Sequence, residues 1–597
     1  MPGTLFYQTF TWTSSDGTQH MFPMITREQL SSCGASSVSS GHSFATDSSG
    51  FHMWVTNTTQ AVVYAPDGTQ VYPTAKDSNG NYFSTDSNSN VIDTLGRTPV
   101  KVSTTNCASN QVCYDILNSQ GGTSRVTVTT ASVPVSTAFA QSGVTEYTGN
   151  ITVVQSIQLP DSNSYSFSYD TGTAAGNYGL LTGLTLPTGG QVTYAFTTYL
   201  DASSNNNRWV STRISSGGTW TYSASATGTC TGFSVCQQVT VAKPNGSQIV
   251  YSFGLNNGAW KAQALYKSGG SPNITLKTVT SQWNTSNPCT MANCTGNQNI
   301  QELTETVTFP TPTGSVTRAV QFTYDSIQDS NITQISEWNY YAGTQPTSPD
   351  RTTSITYLTG YPNNLINRPT TFTVKTGGGT ALAQTNIVYD SYGTGGLTSV
   401  TATQHDDANF STSYTTRGNS TQIQRCTVVS PSCSSYLTTT LTYNITGQVT
   451  SSTDPAGNQT TFGYGDTLYN DVGDGPSNPP QVYNPASSTN AYLTKISPPL
   501  IPASTFGYYY GTGQIALSTG ANNDTSYLHF YDSMNRPTSA VLPNGGWSYS
   551  AYAASETQVD HIRGNYQRLL CVMLHGLSPR SDDSRPLGTP IHSNPCQ

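Results

Sequence analysis

Charge is scarce in this chain: of 597 residues only 23 are Lys or Arg and 31 are Asp or Glu, a charged fraction of 9 % with a net charge of −8. With so few cations and no stripe of them, no surface is on offer to a phosphate backbone, and no nucleic acid is expected as a partner. Long hydrophobic runs are missing as well; none approaches the ~18 apolar residues that a membrane-crossing helix requires, so no membrane span is expected. The helix formers Leu, Glu, Lys and Ala are sparse, which argues against long helices. The opening residues, MPGTLFYQTFTWTSSDG, hold no charged start followed by an apolar core, so no signal peptide is recognisable, and a fragment whose own start is missing is one expectation. Nucleophile elbow, phosphate loop, dinucleotide fingerprint and His-Glu-x-x-His zinc helix are all absent. The expectation is a chain that is not an enzyme, with no catalytic residue, no metal and no cofactor.

What is plentiful is Gly (53), Tyr (36) and Pro (32), over a background of Ser, Thr and Asn. That is the vocabulary of short strands joined by many turns. Regularly placed aromatics and β-branched residues argue against disorder, the usual alternative for a polar chain.

The organising unit is Leu441 to Gly465, LTYNITGQVTSSTDPAGNQTTFGYG. Tyr443-Asn444 closes one apolar/polar alternation, Gly447 permits a tight turn, and Pro455-Ala-Gly457-Asn458 makes a second turn in which proline fixes φ and glycine tolerates positive φ. Phe462 and Tyr464 follow, two apart and so on one face of a strand. The same grammar returns at Tyr531-Asp532, Asn535-Arg536, Pro543 and Gly545, and the Tyr-to-Pro interval is 12 in both copies (455 − 443 and 543 − 531). Counting from turn proline to aromatics, Pro160 leads to Phe167 and Tyr169, Pro187 to Tyr194 and Phe196, Pro244 to Tyr251 and Phe253, and Pro455 to Phe462 and Tyr464. Each is seven and nine residues on, a register that places aromatics on the same face of successive strands. Pro310 breaks the spacing. Further Tyr-Asp markers are Tyr169-Asp170, Tyr324-Asp325 and Tyr389-Asp390.

These residues resemble the YD (Rhs) repeat family, whose pattern is roughly Tyr-Asp-x-x-Gly-Arg, a strand, Pro-x-Gly, a strand and a closing aromatic. Asn444 stands for the family's Asp, Gln448 for its Arg and Asn535 for its Gly. The resemblance implies an all-β fold: a YD/Rhs-type repeat in which a continuous antiparallel sheet curls into a partial spiral shell. In bacterial polymorphic toxins, insecticidal toxin complexes and teneurins such a shell encloses or displays another part of the chain. Neither the family's plug with its self-cleaving aspartates nor a following toxin domain is recognisable, so the resemblance implies an incomplete shell.

Along the chain, residues 1–145 show the repeat in degraded form, with Pro66-Asp67-Gly68, Asn79-Gly80-Asn81 and Asp93-Thr-Leu-Gly96-Arg97 as its remnants. Residues 146–557 carry the clear repeat, interrupted by the looser segments Thr344–Arg351 and Gly465–Pro499. Residues 558–597, with Arg563, Arg568, Arg580, Arg585, three histidines and the run Leu569 to Leu574, read as a non-repeat, poorly ordered tail, with a short docking helix as the alternative. Eight of the eleven cysteines fall into four close pairs, Cys107/Cys113, Cys230/Cys236, Cys289/Cys294 and Cys426/Cys433, with Cys33, Cys571 and Cys596 left over. Local disulfides across Ser/Thr/Asn-rich loops suit them better than zinc, because no Cys-x-x-Cys occurs.

Candidate chemistry is thin. Gln404-His405-Asp406-Asp407 is the densest titratable group and is read as a solvated loop, because adjacent carboxylates on an extended chain face opposite ways. Asp466, Asn470, Asp471 and Asp474 could offer oxygens to calcium, but the spacing misses the EF-hand loop, and again a loop is the better account. Gly377-Gly378-Gly379 is read as a hairpin turn. Trp209, Trp220, Trp260, Trp283, Trp338 and Trp547 invite a sugar-stacking reading, against which stands a hydrophobic layer joining turn to turn. The functional expectation is a secreted or cell-surface scaffold whose partner is a separate polypeptide such as a toxin or plug domain. The alternatives are a carbohydrate-binding or adhesion module, with cell-surface carbohydrate as partner, and a polysaccharide-active enzyme.

Overall fold

The computed structural model describes residues 4–564, apart from 32–33, 57–59, 202–203, 228–229, 231–232, 234, 256–258, 285–298, 326–329, 430–431 and 553–558. Among the described residues there are strands and turns and no helix. From Val100 to Gly564 the strands form one sheet of 33 strands, antiparallel along its length and not closed into a barrel. Two insertions fold out of it. Ala381–Tyr389 pairs directly with Ser420–Cys426, and Gln459–Gly463 with Lys495–Ser497. The short strands Leu397–Thr398 and Leu468–Asn470 come back parallel, the first against Tyr443 and Asn444 and the second against Tyr508 and Tyr509.

The sheet ignores the sequence boundaries at 145 and 558. Thr123–Ser136 pairs with Thr148–Gln158 across the first, and Val559–Gly564, assigned from sequence to the tail, is the last strand, laid against Trp547–Tyr552. Residues 565–597 lie outside the described residues. Ahead of the sheet, residues 4–92 make three small sheets of three, four and two strands. Phe22, Met24, Met53, Val55 and Val63 are buried together there, with Phe10 and Trp12 packed on them. At roughly 1.5–3 kcal/mol for each large apolar side chain, this knot is the larger of the two buried hydrophobic clusters among the described residues.

Two local devices explain the repeat. The first is a five-residue turn in which residue i donates its N–H to the carbonyl of i+4 and accepts from the N–H of i+3. It occurs with proline at i+1 at Leu159–Asn163, Leu186–Gly190, Lys243–Ser247, Asp454–Asn458 and Leu542–Gly546. The fourth residue of each has positive φ, from 72° at Ser162 to 88° at Gly457. Where Asp or Asn stands at i, its side chain also accepts the N–H groups of i+2 and i+4, as at Asp77, Asp93 and Asn444. The side chain at i+4 then reaches back: Arg97 to Asp93 at 2.7 Å, Arg536 to Asp532 at 2.8 Å, Asn458 to Asp454 at 2.9 Å. This bond is the reason for the Asp-to-Arg interval, and it makes Asn444 with Gln448 a neutral version of one turn. Pro310 lies inside the strand Glu302–Thr311, which is why it breaks the spacing.

The second device is a tyrosine latch. At Tyr169, Tyr324, Tyr357, Tyr389, Tyr443 and Tyr508 the ladder slips by one residue, forming a bulge. There the phenol donates to a carbonyl back toward the preceding strand: Val154, Glu302, Ile332, Pro369, Ser420 and Leu493 respectively, all within 2.7–3.0 Å. Tyr464 and Tyr552 make the same bond to Val449 and Pro537. A half-buried phenol at the edge of an apolar face finds its partner in this way.

Register pairs Phe167 with Leu184 and Leu184 with Val192, Val239 with Tyr251, and Phe462 with Ile496, so the aromatics of the seven-and-nine register run along one face. That face is half-buried by its own neighbours only. From Thr137 to Ser225 no described residue is buried; Tyr165, Phe167, Tyr169, Val192, Tyr194 and Phe196 alternate with exposed Ser, Thr, Gln and Ala on the opposite side. This is a wall one sheet thick.

The wall winds back onto its own beginning. Asn299 donates to the Thr46 carbonyl at 2.7 Å, Ile366 to Pro66 at 2.9 Å, and Tyr82 to Gln404 at 2.9 Å. Arg97 reaches the Tyr510 carbonyl, Ser119 the Phe530 carbonyl at 2.8 Å, and Arg536 approaches Asp161 at 3.7 Å. Ascending positions 46 to 161 meet ascending positions 299 to 536, so the two passes of chain run side by side, joined turn to turn.

Candidate functional site

Where the passes meet, the turns are locked by buried polar groups, and the first lock is centred on Arg417. The residue is 0 % exposed. Its guanidinium donates to five backbone carbonyls from three segments: Asn79 at 2.8 Å, Ile445 at 2.7 Å, and Phe410, Ser411 and Tyr414 at 2.5–2.8 Å. Every N–H of the fork is used. Burial pulls the guanidinium below its ordinary pKa, with no carboxylate in direct contact to offset it. His405 shares two of those acceptors: its Nε2 faces the Asn79 and Ile445 carbonyls at 2.9 and 3.1 Å, and its Nδ1 lies 2.8 Å from Asp407.

Behind Arg417, Asp390 accepts the backbone N–H groups of Arg417, Gly418 and Asn419 at 2.7–3.0 Å and the Tyr392 hydroxyl at 2.8 Å. Burial and the Asp390 charge drive the Tyr392 phenol far above its normal range. Lys76 pairs with Asp406 at 2.7 Å and holds that carboxyl below the usual carboxylate range. Gly447, with φ 83°, sits so close that a Cβ there would strike the Asn79 side chain; Gly80, with φ 98°, likewise abuts the Phe410 ring.

A second lock joins residues 118–121 to the turn after Phe530. Asp471, 2 % exposed, accepts from His529 Nδ1 at 2.9 Å and from the Phe530 N–H at 2.6 Å, while its own N–H donates to Ser119. Ser119 is held by Asn535 and bonds Phe530 in turn. Tyr509, fully buried, donates to the Leu528 carbonyl; burial, and then the Asp471 charge, raise its phenol well past the normal range. The Asp–His pair resembles half of a catalytic triad, but both side chains are sealed from solvent. No substrate could approach it in this state.

These locks correct one expectation and bear on another. The segment Gln404 to Asp407 is not a solvated loop: His405 is buried and Asp406 is ion-paired, because the docked turn at residues 77–81 covers them. Asp466, Asp471 and Asp474 do not share a site either; they bond Thr489, His529 and Thr538 respectively. Of the signature residues, Tyr443, Asn444 and Gly447 belong to the first lock, while Pro455, Gly457, Pro543 and Gly545 form free turns of the wall. Asp532 and Arg536 cap the turn next to the second lock, and Tyr531 is 49 % exposed.

Cys107–Cys113, Cys230–Cys236 and Cys426–Cys433 are joined as disulfides with Cα separations of 6.0, 5.2 and 5.8 Å; Cys289 and Cys294 lie outside the described residues. Trp338 is buried and donates to the Pro346 carbonyl, Trp283 donates to Lys261 and stands against Trp260, and Trp209 and Trp220 pack beside Tyr199 and Lys243. These five tryptophans therefore pack within the layer. Sequence reasoning missed Arg417, Ser119 and His529, and read Asp390 and Asn79 only as parts of the repeat. The one available signal was an isolated Arg-Gly step, Arg417-Gly418, in a chain where cations are rare.

No family model and no curated protein matches the chain. Among solved structures, it is similar to TcdB2-TccC3 without its hypervariable C-terminal region, at 8 % identity and a TM-score of 0.30 over 92 % of this chain and 32 % of that one. It is also similar to the Tc holotoxin pore of Photorhabdus luminescens, at 9 % identity and TM-score 0.19 over 92 % and 28 %, and to a porin-like protein of Bacteroides uniformis, at 10 % and TM-score 0.12 over 56 % and 98 %. The chain spans about a third of the length of the toxin-complex chains.

Proposed function

We propose that the chain is a structural scaffold, a section of β wall that encloses or displays a separate polypeptide, and that it is not an enzyme. The observation that carries this is the uncovered wall from Thr137 to Ser225, whose aromatic face is half-buried by its own rings and packed against no second layer. A face of that kind, wound back on itself and locked at the seam, bounds a space. The locks support the reading, since their polar groups are spent on holding turns together. Resemblance to the YD repeat implies the same role, with a toxin or plug as the enclosed partner. The three short-range disulfides suit an oxidising, extracellular setting.

Solution scattering of the purified chain tests the proposal. A wall around a space has a radius of gyration well above the roughly 25 Å of a compact chain of this length, and its two open sheet edges favour self-association. A compact, stable monomer at that radius would overturn the scaffold reading.

A further inference from the structure

Among the five Tyr-Asp and Tyr-Asn markers of the repeat, Tyr169, Tyr324, Tyr389, Tyr443 and Tyr531, one behaves differently. Tyr169, Tyr324, Tyr389 and Tyr443 all latch onto a backbone carbonyl. Tyr531 occupies the same place before its turn, yet it is 49 % exposed, against 6 % for Tyr443, and among the described residues its hydroxyl makes no such bond. Tyr552, the counterpart of Tyr464, keeps its own latch to Pro537, so only the first tyrosine of this copy is released.

The freed ring borders an open crevice of about 540 Å³ at the seam, with Asn118, Gln120, Thr123 and Arg125 from the first pass and Tyr531 and Ser533 from the second. Its size is in the range of small-ligand sites. Its charges are already matched: Arg125 is held by Asp115 at 2.7 Å and Asp532 by Arg536 at 2.8 Å. Asn118 is buried and bonded to Gly122 and Ser124, and the Gln120 amide nitrogen donates to Ser119 and to the Phe530 carbonyl, so what remains beside the aromatic ring is the Gln120 amide oxygen and the hydroxyls of Thr123 and Ser533. That is poor chemistry for a phosphate or carboxylate, which needs an unmatched cation. It suits a polyol ring, whose C–H face lies on the phenol while its hydroxyls meet the Gln120 oxygen and the Thr123 and Ser533 hydroxyls.

We propose that this seam crevice binds a neutral saccharide, with Tyr531 as the stacking platform and the Gln120 amide oxygen, Thr123 and Ser533 as hydrogen-bonding partners. The site goes beyond the scaffold role, and either can fail alone: scattering reports the wall, ligand binding reports the crevice. Because it is built from both passes, an occupied site would also tie residues 118–125 to residues 531–533.

The test is saturation-transfer NMR on the intact chain with maltotriose, cellotriose, chitotriose and, as the charged comparison, trigalacturonate. Binding of at least one neutral trisaccharide is expected, weakened about tenfold in Tyr531→Ala and largely kept in Tyr531→Phe and in Tyr340→Ala, an exposed tyrosine elsewhere. If Tyr531→Ala does not fold, Ser533→Trp, which fills the crevice from its rim, supplies the same loss. No signal from any neutral trisaccharide, an unchanged signal in Tyr531→Ala or Ser533→Trp, or binding of trigalacturonate alone would overturn the proposal.

Discussion

The stretch from Thr137 to Ser225 and the seam around Arg417 are built from the same turns and strands, yet one has no buried residue among those described and the other buries a whole guanidinium. In the wall, each strand is specified by its immediate neighbours, so stability is a sum of many small local contributions. At the seam, groups more than 300 residues apart must meet with their donors and acceptors matched, as around Arg417, so a few side chains carry large effects. Repetition makes the wall extendable, and buried polarity makes its closure specific.

The sharpest way to break that contrast is Arg417→Met. It leaves five carbonyls without their donor, and a loss of about 4 kcal/mol is expected in thermal or urea unfolding, with Arg417→Lys recovering only part of it. A smaller loss at the seam would mean that the turns hold each other without the guanidinium.

Two glycines with matching backbone but different surroundings give the next test. Gly447→Val, with φ 83° and Asn79 in the way, is expected to cost about 3 kcal/mol, whereas Gly457→Val, with φ 88° and open space around it, should cost about 1.5 kcal/mol. Equal losses would erase the distinction between docked and free turns.

The N-terminal knot adds a pH dependence. Burial, and then the neighbouring His42, hold His52 down at about 4 against an ordinary 6.5. The unfolded chain takes up a proton that the folded imidazole refuses, so stability is full above 6.5 and falls as pH drops toward 4, by about 2 kcal/mol. Melting curves across that window should show the fall in wild type and a flatter profile in His52→Phe. The Asp406 and Asp454 carboxyls, held low by Lys76 and by Asn458, lose their contribution only as pH falls through lower values.

Single latches are smaller: Tyr169→Phe and Tyr464→Phe should each cost about 1 kcal/mol, additively because the two sites are remote. Smallest of all, Thr193→Ser on the exposed side of the wall should stay within about 0.5 kcal/mol by the same measurement.

Much of the wall was legible in the chain. The proline turns and the aromatics at seven and nine residues lie where the spacing put them, because a hairpin's register follows from its turn. What the spacing could not separate was the duty of each ring: Tyr169 and Tyr464 are latches, while Phe196 and Phe253, in the same positions, have no hydroxyl to latch with. The seam was hidden. His405 and its neighbours looked like solvated loop because nothing local announces that residues 77–81 will cover them.

By itself, then, the sequence determined an all-β chain of hairpins laid side by side, since turn chemistry and side-chain alternation act over a few residues. Tertiary structure alone decided which turns would be buried, which charge would be desolvated and which tyrosine would be left facing solvent. Those outcomes depend on how far the sheet curls before it meets itself, and that angle is the accumulated twist of many strands, which no single segment encodes.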